Sequence, residues 1–267
     1  GGRGLPQTAA LGGPGLVLPR TAWAAAPDPW DRAAMIARTV SPPPFPARRF
    51  PITDFGARGD RATPNTDAIA KAVEACTAAG GGQVLVPAGD FLTGAVHLKS
   101  NVELHLAEGA TLLFSTDPAH YPMVFTRWEG IELINYSPLV YAYKARNVAI
   151  TGKGTLDGQA GAEHWWSWKG PWGGTVPYGW REGMPNQRPA RAKLFQMAED
   201  RVPVEKRVFG PGSYLRPPFI QPYLCENVLI EGVRIRRSPF WNVHPVLCRN
   251  VIVRGIDVMG HGPNNDG

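Results

Sequence analysis

The sequence has few cysteines and no apolar run long enough to cross a membrane. Cys76, Cys225 and Cys248 are its three cysteines, too few for the disulfide framework that supports many small secreted domains. A transmembrane helix needs about 20 consecutive apolar residues, and no segment of the chain reaches that length. We therefore expect a globular protein with no membrane insertion, which its 43% content of hydrophobic residues suits.

Acidic residues are fewer than basic ones, and this imbalance narrows the possible partners. Lys and Arg number 28 against 22 Asp and Glu, which gives a net charge of +6. Such a charge favours a polyanionic partner, for example an acidic polysaccharide or a nucleic acid. No recognisable nucleic-acid-binding module accompanies the charge, so we expect no nucleic acid partner. The alternative is that arginine-rich loops only keep the surface solvated.

The sequence does contain a phrase that recurs at a fixed step. The segment Asn227–Gly232 (NVLIEG) reappears 23 residues later as Asn250–Gly255 (NVIVRG). Related segments begin at Asn101 and Asn147, which are 46 residues apart and which we interpret as two steps of 23. Short repeats separated by Gly and Asn are typical of a stacked solenoid, whose open flank suits a linear polymer.

Apolar side chains alternate within each copy, which predicts strands with one buried face. Val228 and Ile230 alternate in this way, and the runs are short and rich in Val and Ile. We predict an all-β parallel β-helix; the competing leucine-rich repeat needs a Leu-rich frame and a helical return segment, which are missing. The same step sets Cys225 beside Cys248, and we expect stacked, buried thiols there.

The N-terminal region differs from the repeats, and we assign residues 1–49 to a leader and linker and 50–267 to the β-helix domain. Residues 1–30 resemble the end of an export signal with an Ala-x-Ala cleavage site, which predicts a secreted or periplasmic protein. The alternative is a disordered leader. Residues 38–49 are rich in Pro and Arg and indicate a linker.

An amphipathic helix is predicted just before the first coils. It begins near Asn65 or Thr66, either of which can cap it, and ends at the glycines 80–82. Its apolar face comprises Ile69, Ala72, Val73 and Cys76. We expect this helix to cover the open end of the solenoid, where backbone edges would otherwise be unpaired.

Residues 159–217 interrupt the repeat and are predicted to be an insertion beside the groove. The interval from Asn147 to Asn227 is 80 residues, 11 more than three steps of 23. The interval includes five tryptophans and a charged stretch: Trp165, Trp166, Trp168, Trp172, Trp180 and 191–207. The aromatic rings either stack on sugars or form a small core of the insertion.

The step of 23 residues also gathers polar side chains near the C-terminus. It sets Trp241 beside Asn264, Asn242 beside Asn265, Val243 beside Asp266 and His244 beside Gly267. Trp offers a stacking face, Asn and His offer hydrogen bonds, and Asp offers a base. Polar residues that interrupt a structural alternation without a turn role are typical of a functional site.

Several short segments occur in the order typical of one enzyme family. They are Asp54–Ala57, Gly80–Val84, Pro87–Gly89, Leu98–Val102, Gly152–Gly158, Ser238–Trp241 and Pro263–Gly267. In this order they resemble the N-terminal portion of the polygalacturonase family, glycoside hydrolase family 28. The resemblance covers about residues 50–267. It implies a right-handed parallel β-helix that hydrolyses α-1,4-galacturonosyl bonds of pectin with inversion, with no metal or organic cofactor.

The resemblance also implies site residues. Family members use three aspartates, one in an Asn-x-Asp motif and two in a following Asp-Asp pair; one acid protonates the leaving oxygen and the others activate water. Asp266 matches the first aspartate, as part of the base, and Asn264 matches the Asn that helps hold substrate. We expect Trp241, Asn242 and His244 to bind substrate beside them.

The Asp-Asp pair is absent from this sequence, and Gly260-His261-Gly262 precedes the Asn-x-Asp motif, so we assign no catalytic role to His261. One carboxylate cannot serve as both acid and base across a glycosidic bond. We therefore expect a β-helix that is incomplete on its C-terminal side and inactive alone.

Two other functions share the predicted fold. A polysaccharide lyase would need clustered acidic Ca²⁺ ligands, for which Asp257 and Asp266 are a thin set. A non-catalytic polysaccharide-binding β-helix needs no acid at all. The pectic polymer is open, although Lys99, Arg234, Arg236 and Arg237 could pair with uronate carboxylates. We expect a monomer that acts on an acidic polysaccharide.

Overall fold

The computed structural model describes residues 28–171, 178–264 and 266, and it divides into two compact units, residues 1–39 and 40–267. In the first unit, helix α1 (Pro29–Thr39) has no buried residue. All strands and the other helices belong to the second unit.

The second unit is a succession of short strands interrupted by few helices. It opens with β1 (Arg49–Pro51), a 3₁₀ helix (Ile52–Phe55), β2 (Asp60–Pro64) and α2 (Thr66–Ala78). The next two coils contain β3 (Gly82–Val86), β4 (Gly89–Thr93), β5 (Val96–Leu98), β6 (Val102–Leu106), β7 (Ala110–Phe114), a 3₁₀ helix (Pro118–His120), β8 (Met123–Trp128), β9 (Ile131–Tyr136) and β10 (Val140–Tyr143). The remaining coils contain β11 (Arg146–Gly152), β12 (Thr155–Asp157), a 3₁₀ helix (Trp166–Lys169), α3 (Arg188–Glu199), a 3₁₀ helix (Val204–Lys206), β13 (Ile220–Tyr223), β14 (Glu226–Glu231), β15 (Arg234–Arg236), β16 (Arg249–Arg254) and β17 (Asp257–Met259).

These strands form three parallel sheets, which confirms the predicted parallel β-helix. Sheet A has the order β1-β3-β6-β11-β14-β16, and sheet B has the order β17-β15-β12-β7-β4-β2. Sheet C has the order β13-β10-β5 and is extended by parallel bridges from Ile220 to Val243 and from Tyr223 to Val246. Each coil thus contributes one strand to each sheet in turn, and β8 and β9 form a separate antiparallel hairpin.

The coil length is more variable than the sequence predicts. Val228 pairs with Val251, which confirms the step of 23 residues at that point. However, Val102 pairs directly with Val148, and Val148 pairs directly with Val228. The 46-residue interval is therefore one coil containing the β8–β9 hairpin, and our interpretation of it as two steps is wrong. A corner loop can lengthen without changing strand register, because only the strands have to stack.

An asparagine ladder runs along the corner between sheets C and A. Asn101, Asn147, Asn227 and Asn250 all have left-handed φ values, of 64°, 54°, 58° and 55°. Each Nδ2 donates to the Oδ1 of the asparagine in the preceding coil, at 2.8, 2.9 and 2.9 Å. Asn tolerates this backbone conformation better than other residues with a side chain, and the ladder pairs amides that would otherwise be left at the corner.

Inward-facing side chains fill the interior of the coils. Val84 lies against Leu104 in sheet A, and Leu112 against Leu156 in sheet B, and all four are fully buried. The predicted stack of thiols is confirmed: Cys225 is buried, Cys248 is half-buried, and both are free. A hydrogen bond between the two thiols raises the pKa of Cys225 and lowers that of Cys248 to about 7.

Helix α2 packs on the first coils, as predicted, and buries the apolar face predicted for it. Its predicted N-terminal cap is wrong. The Asn65 amide instead bonds the backbone of Arg58, Thr63 and Leu92, and the Thr66 hydroxyl accepts from Gly94 N at 2.7 Å. Both side chains thus fix the neighbouring strands rather than the helix end.

The tryptophans of the insertion are mainly packed in the core. Trp165 is buried and meets Tyr121 and Trp168 edge to face, at 5.6 and 4.9 Å between ring centroids. The Trp166 indole donates to Ser238 O at 2.9 Å, whereas Trp172 lies outside the described residues. The small-core alternative therefore describes Trp165 better than stacking on sugars. Across the described ranges, no helix has the length and apolarity that a membrane crossing requires.

Candidate functional site

The candidate site lies where three neighbouring strands of sheet B end. Strands β12, β15 and β17 are followed by the loops 158–219, 237–242 and 260–266. Because parallel neighbours end at the same edge of a sheet, these loops are stacked as the strands are. Gly158 N donates to Arg236 O at 2.9 Å, and Ala160 N donates to Arg237 O at 3.0 Å. The insertion and the two C-terminal loops therefore meet at one corner.

Asp266 is joined to the preceding coil through Asn242. The Asn242 backbone N–H donates to Asp266 O at 2.8 Å, and its side-chain Nδ2 lies 3.5 Å from the same oxygen. The step of 23 predicts this contact for Val243, one residue later. The register differs because the chain leaves the strand path after β17, with Asn264 at φ 57°. The exposed Asp266 side chain and the buried Asn242 are therefore brought together, whereas Asn265 and Gly267 lie outside the described residues.

Asn264 is held by a buried arginine of the insertion. Arg216 Nη2 donates to Asn264 Oδ1 at 3.0 Å, and its Nη1 donates to Pro239 O and Pro263 O at 3.0 and 2.7 Å. Its Nε donates to Gln187 Oε1 at 3.1 Å. Burial lowers the pKa of Arg216 to about 9, so it remains a cation at neutral pH. One side chain thus ties the insertion to both C-terminal loops.

A stack of aromatic rings forms one wall of the site. Trp128, from the hairpin, stacks on Phe240 at 5.3 Å with an interplanar angle of 6°, and Phe240 stacks on Trp241 at 5.0 Å and 10°. Trp241 in turn meets the His244 ring edge to face at 4.6 Å. Trp128 and Phe240 are buried, whereas Trp241 is half-buried, so Trp241 is the ring of this stack that solvent can reach.

His244 is a neutral imidazole with a fixed orientation. Its Nδ1 lies 2.9 Å from Gln221 Nε2, and Gln221 Oε1 accepts from Thr126 Oγ1 at 2.5 Å. The amide nitrogen of Gln221 therefore faces His244 as a donor, and Nδ1 accepts. Burial, helped by the charge of Arg127, lowers the pKa of His244 to about 4. At neutral pH the ring has one N–H group, on Nε2, to offer.

The cations that the sequence singles out are engaged with neighbouring groups. Arg236 pairs with Asp257 at 2.7 Å and Arg237 with Asp157 at 2.5 Å, while Arg234 Nη1 donates to Lys153 O at 3.1 Å. Asp257 pairs in this way beside sheet B, and Arg237 holds the corner after β12. The predicted register of Arg234 against Asp257 is confirmed.

Sequence reasoning missed the site residues that come from outside the repeat. Arg216 and Gln187 lie in the insertion, and Trp128 lies in the hairpin, so no periodicity signals them. The signal available was chemical: a lone arginine in the apolar stretch around Leu215 and Phe219. Among the described residues, no group of three or more His, Cys, Asp or Glu side chains is arranged to hold a metal ion.

Comparisons with known proteins identify relatives of one kind. No model of a known protein family matches the chain. The chain is 53% identical to a hyperthermoactive exopolygalacturonase from Thermotoga maritima, with 89% of this chain and 52% of that one covered and a TM-score of 0.85. It is 31% identical to a probable polygalacturonase of Vitis vinifera over 227 residues, which are 81% of this chain and 38% of the relative.

A third relative is an exo-poly-α-D-galacturonosidase of Dickeya chrysanthemi, 41% identical over 115 residues, or 40% of this chain and 19% of the relative. A family 28 exopolygalacturonase of Yersinia enterocolitica, 24% identical with a TM-score of 0.59, shares the fold. The chain spans about half the length, or less, of each relative described. Together these relatives confirm the resemblance to polygalacturonases that the motifs predict.

Proposed function

We propose that this chain, which is similar to exopolygalacturonases over most of its length, forms part of a glycoside hydrolase of pectin-type polysaccharides. The bond cleaved is the α-1,4-galacturonosyl bond, and the mechanism is inverting acid/base catalysis. The observation that carries the proposal is the contact of the Asn264-x-Asp266 motif with Asn242 and Arg216, in a chain 53% identical to an exopolygalacturonase.

Each site residue has a role in this proposal. The exposed Asp266 carboxylate acts as part of the base that activates water, and Asn264 helps hold the sugar. Trp241 offers its accessible ring face to the sugar, and the His244 Nε2–H donates to a sugar oxygen. Asn242 contributes chiefly by fixing the Asp266 backbone, since its amide is buried against it.

The insertion supports exo action. Residues 159–217 reach the same corner as the Asn-x-Asp motif, through Arg216 and Gln187. A groove closed at one end admits only a chain terminus, whereas an insertion that merely lengthens the binding face leaves both ends open. Product analysis on oligogalacturonides distinguishes the two, because an exo enzyme releases products of one length from the start.

We further propose that this chain alone does not hydrolyse its substrate. An inverting enzyme needs two carboxyl groups roughly 6.5–9.5 Å apart, with room for a water molecule between one of them and the sugar. Asp266 supplies one of them, and no second carboxylate has been assigned in the described ranges. A polymeric substrate also supports a secreted or periplasmic location, and nothing in the mechanism requires more than a monomer.

The test is an assay of reducing-sugar release from polygalacturonate. We expect no release by this chain, release by a C-terminally longer version, and a roughly 10²–10⁴-fold loss of kcat when the longer version carries Asp266→Asn. Glu108→Gln is the matched control, because Glu108 is an exposed carboxylate whose nearest cation, Lys153, is 4.0 Å away.

Three outcomes would contradict these proposals. Release by this chain alone would refute its inactivity. Full activity of the Asp266→Asn variant would refute the base assignment. Unsaturated, ultraviolet-absorbing products that depend on Ca²⁺ would indicate a lyase instead.

A further inference from the structure

The start of the insertion's helix carries charges of the wrong sign for a helix N-terminus. The first turn of α3 contains Arg188 and Arg191 and no acidic residue, and its last turn contains no basic residue. The N-terminal end of a helix is the positive end of its dipole, so cations there cost stability and anions there add it. A placement that costs stability and recurs within one turn indicates a functional reason.

Two further cations lie at the same place. Lys169 follows Trp168, whose carbonyl accepts from Gln187 N at 2.8 Å, and Gln187 is the residue just before α3. Gln187 in turn accepts from Arg216. We call Lys169, Arg188, Arg191 and Arg216 the cationic cluster.

The cationic cluster is poorly balanced by negative charge. Glu129 lies nearby and already pairs with Arg191 at 2.6 Å. Burial lowers the pKa of Lys169, and the charge of Arg216 lowers it further against the opposite effect of Glu129, with Arg191 and Arg188 adding to the decrease. Four cations around one carboxylate therefore repel each other, in a half-buried place where water screens charge less than it does at the surface.

The cationic cluster is also joined to the proposed catalytic motif. Arg216 bonds Asn264 directly, and Asn264 precedes Asp266 by two residues. An anion bound at Lys169 would thus be held within one layer of side chains of the motif. The helix N-terminus adds backbone N–H groups and a favourable dipole to that position.

We propose that Lys169, with the N-terminal turn of α3, binds a carboxylate of the uronic acid chain and so selects a charged sugar next to the cleavage site. This inference rests on the proposed function and adds to it the residue that recognises the substrate's charge. A carboxylate there is neutralised by a group that needs an anion, and the ion pair forms with partial exclusion of water. A methyl-esterified sugar has no charge to offer and should bind less well.

The experiment is calorimetric titration of this chain with digalacturonate and with its methyl ester. We expect the unmodified chain to prefer the free acid, and Lys169→Gln to weaken binding of the free acid by about tenfold with little change for the ester. Lys169→Arg should retain most of the affinity, because it keeps the charge. Lys193→Gln is the matched control: it removes one cation from the same helix, where Lys193 lies over the Phe209 ring at 5.9 Å.

Each outcome decides between the inference and the proposed function. Equal binding of the free acid by the Lys169→Gln variant and the unmodified chain would overturn the inference and leave the proposed function standing. Equal affinity of the unmodified chain for acid and ester would do the same. Failure of the unmodified chain to bind either compound would count against both. Far-ultraviolet circular dichroism and the melting temperature establish that each variant is folded.

Discussion

At the scale of single residues, Arg216 shows how a buried charge can organise a loop. Its hydrogen bonds to described residues all go to uncharged oxygen atoms, of Gln187, Pro239, Pro263 and Asn264. Burying a cation is costly unless its donors are satisfied, and here four contacts of normal length satisfy them. The guanidinium is planar and offers five donors in fixed directions, so a single side chain can fix three segments at once. The conformation of the Asn264 motif thus depends on a residue 48 positions earlier.

His244 gives the protein a predictable pH dependence. Its pKa is about 4 in the folded protein against an ordinary value of 6.5, so the unfolded chain binds a proton in this range that the folded chain does not. Stability from the neutral ring is therefore fully present above pH 6.5 and is lost as the pH falls toward 4. We expect the free energy of unfolding, measured in urea at about pH 7 and about pH 5, to fall more in the unmodified protein than in His244→Gln. An equal decrease in the two proteins would contradict the assignment.

At the scale of structural elements, the asparagine ladder is a corner that can be tested in two parts. Asn147 has φ 54° and bonds both Asn101 and Asn227. Asn147→Gly keeps the backbone conformation accessible and loses the two hydrogen bonds, whereas Asn147→Ala loses the bonds and adds backbone strain. We expect the free energy of unfolding to fall by roughly 1–2 kcal/mol for the Gly variant and by about 1 kcal/mol more for the Ala variant.

Urea unfolding with a constant slope measures both variants. Equal losses would show that the left-handed backbone costs nothing at this corner, and no loss in either variant would show that the ladder does not stabilise the coils.

The same elements explain how far the sequence predicts the fold and the site. Residues 227–255 specify the coil because alternation, Gly, Asn and the step of 23 all agree there. The β8–β9 hairpin was missed because 46 happens to be twice 23, and a period cannot distinguish two coils from one long coil. The motif around Asp266 is recognisable from local spacing, whereas Trp128 and Arg216 arrive from loops whose positions only tertiary packing decides. Periodicity therefore predicts the stacked strands, and what approaches them from the corners has to be seen.

At the scale of the whole molecule, the net charge of +6 predicts salt-dependent binding of an acidic polymer. Exposed charges act over about 10 Å at 0.1 M salt and over less as salt rises. We expect the affinity of this chain for polygalacturonate, measured by calorimetry or affinity electrophoresis, to fall between about 0.05 M and about 0.3 M NaCl. A neutral galactan should show no such change. Salt-independent binding of polygalacturonate would exclude a charge-driven interaction.

The unequal coils separate two tasks that most proteins have to solve together. The hydrogen-bonded register on either side of a corner is the same whether 23 or 80 residues lie between successive strands of sheet A. A corner can accordingly gain, lose or exchange a whole excursion during evolution while the supporting stack is inherited unchanged. Recognition can diversify in such a lineage without a matching search for new ways to fold.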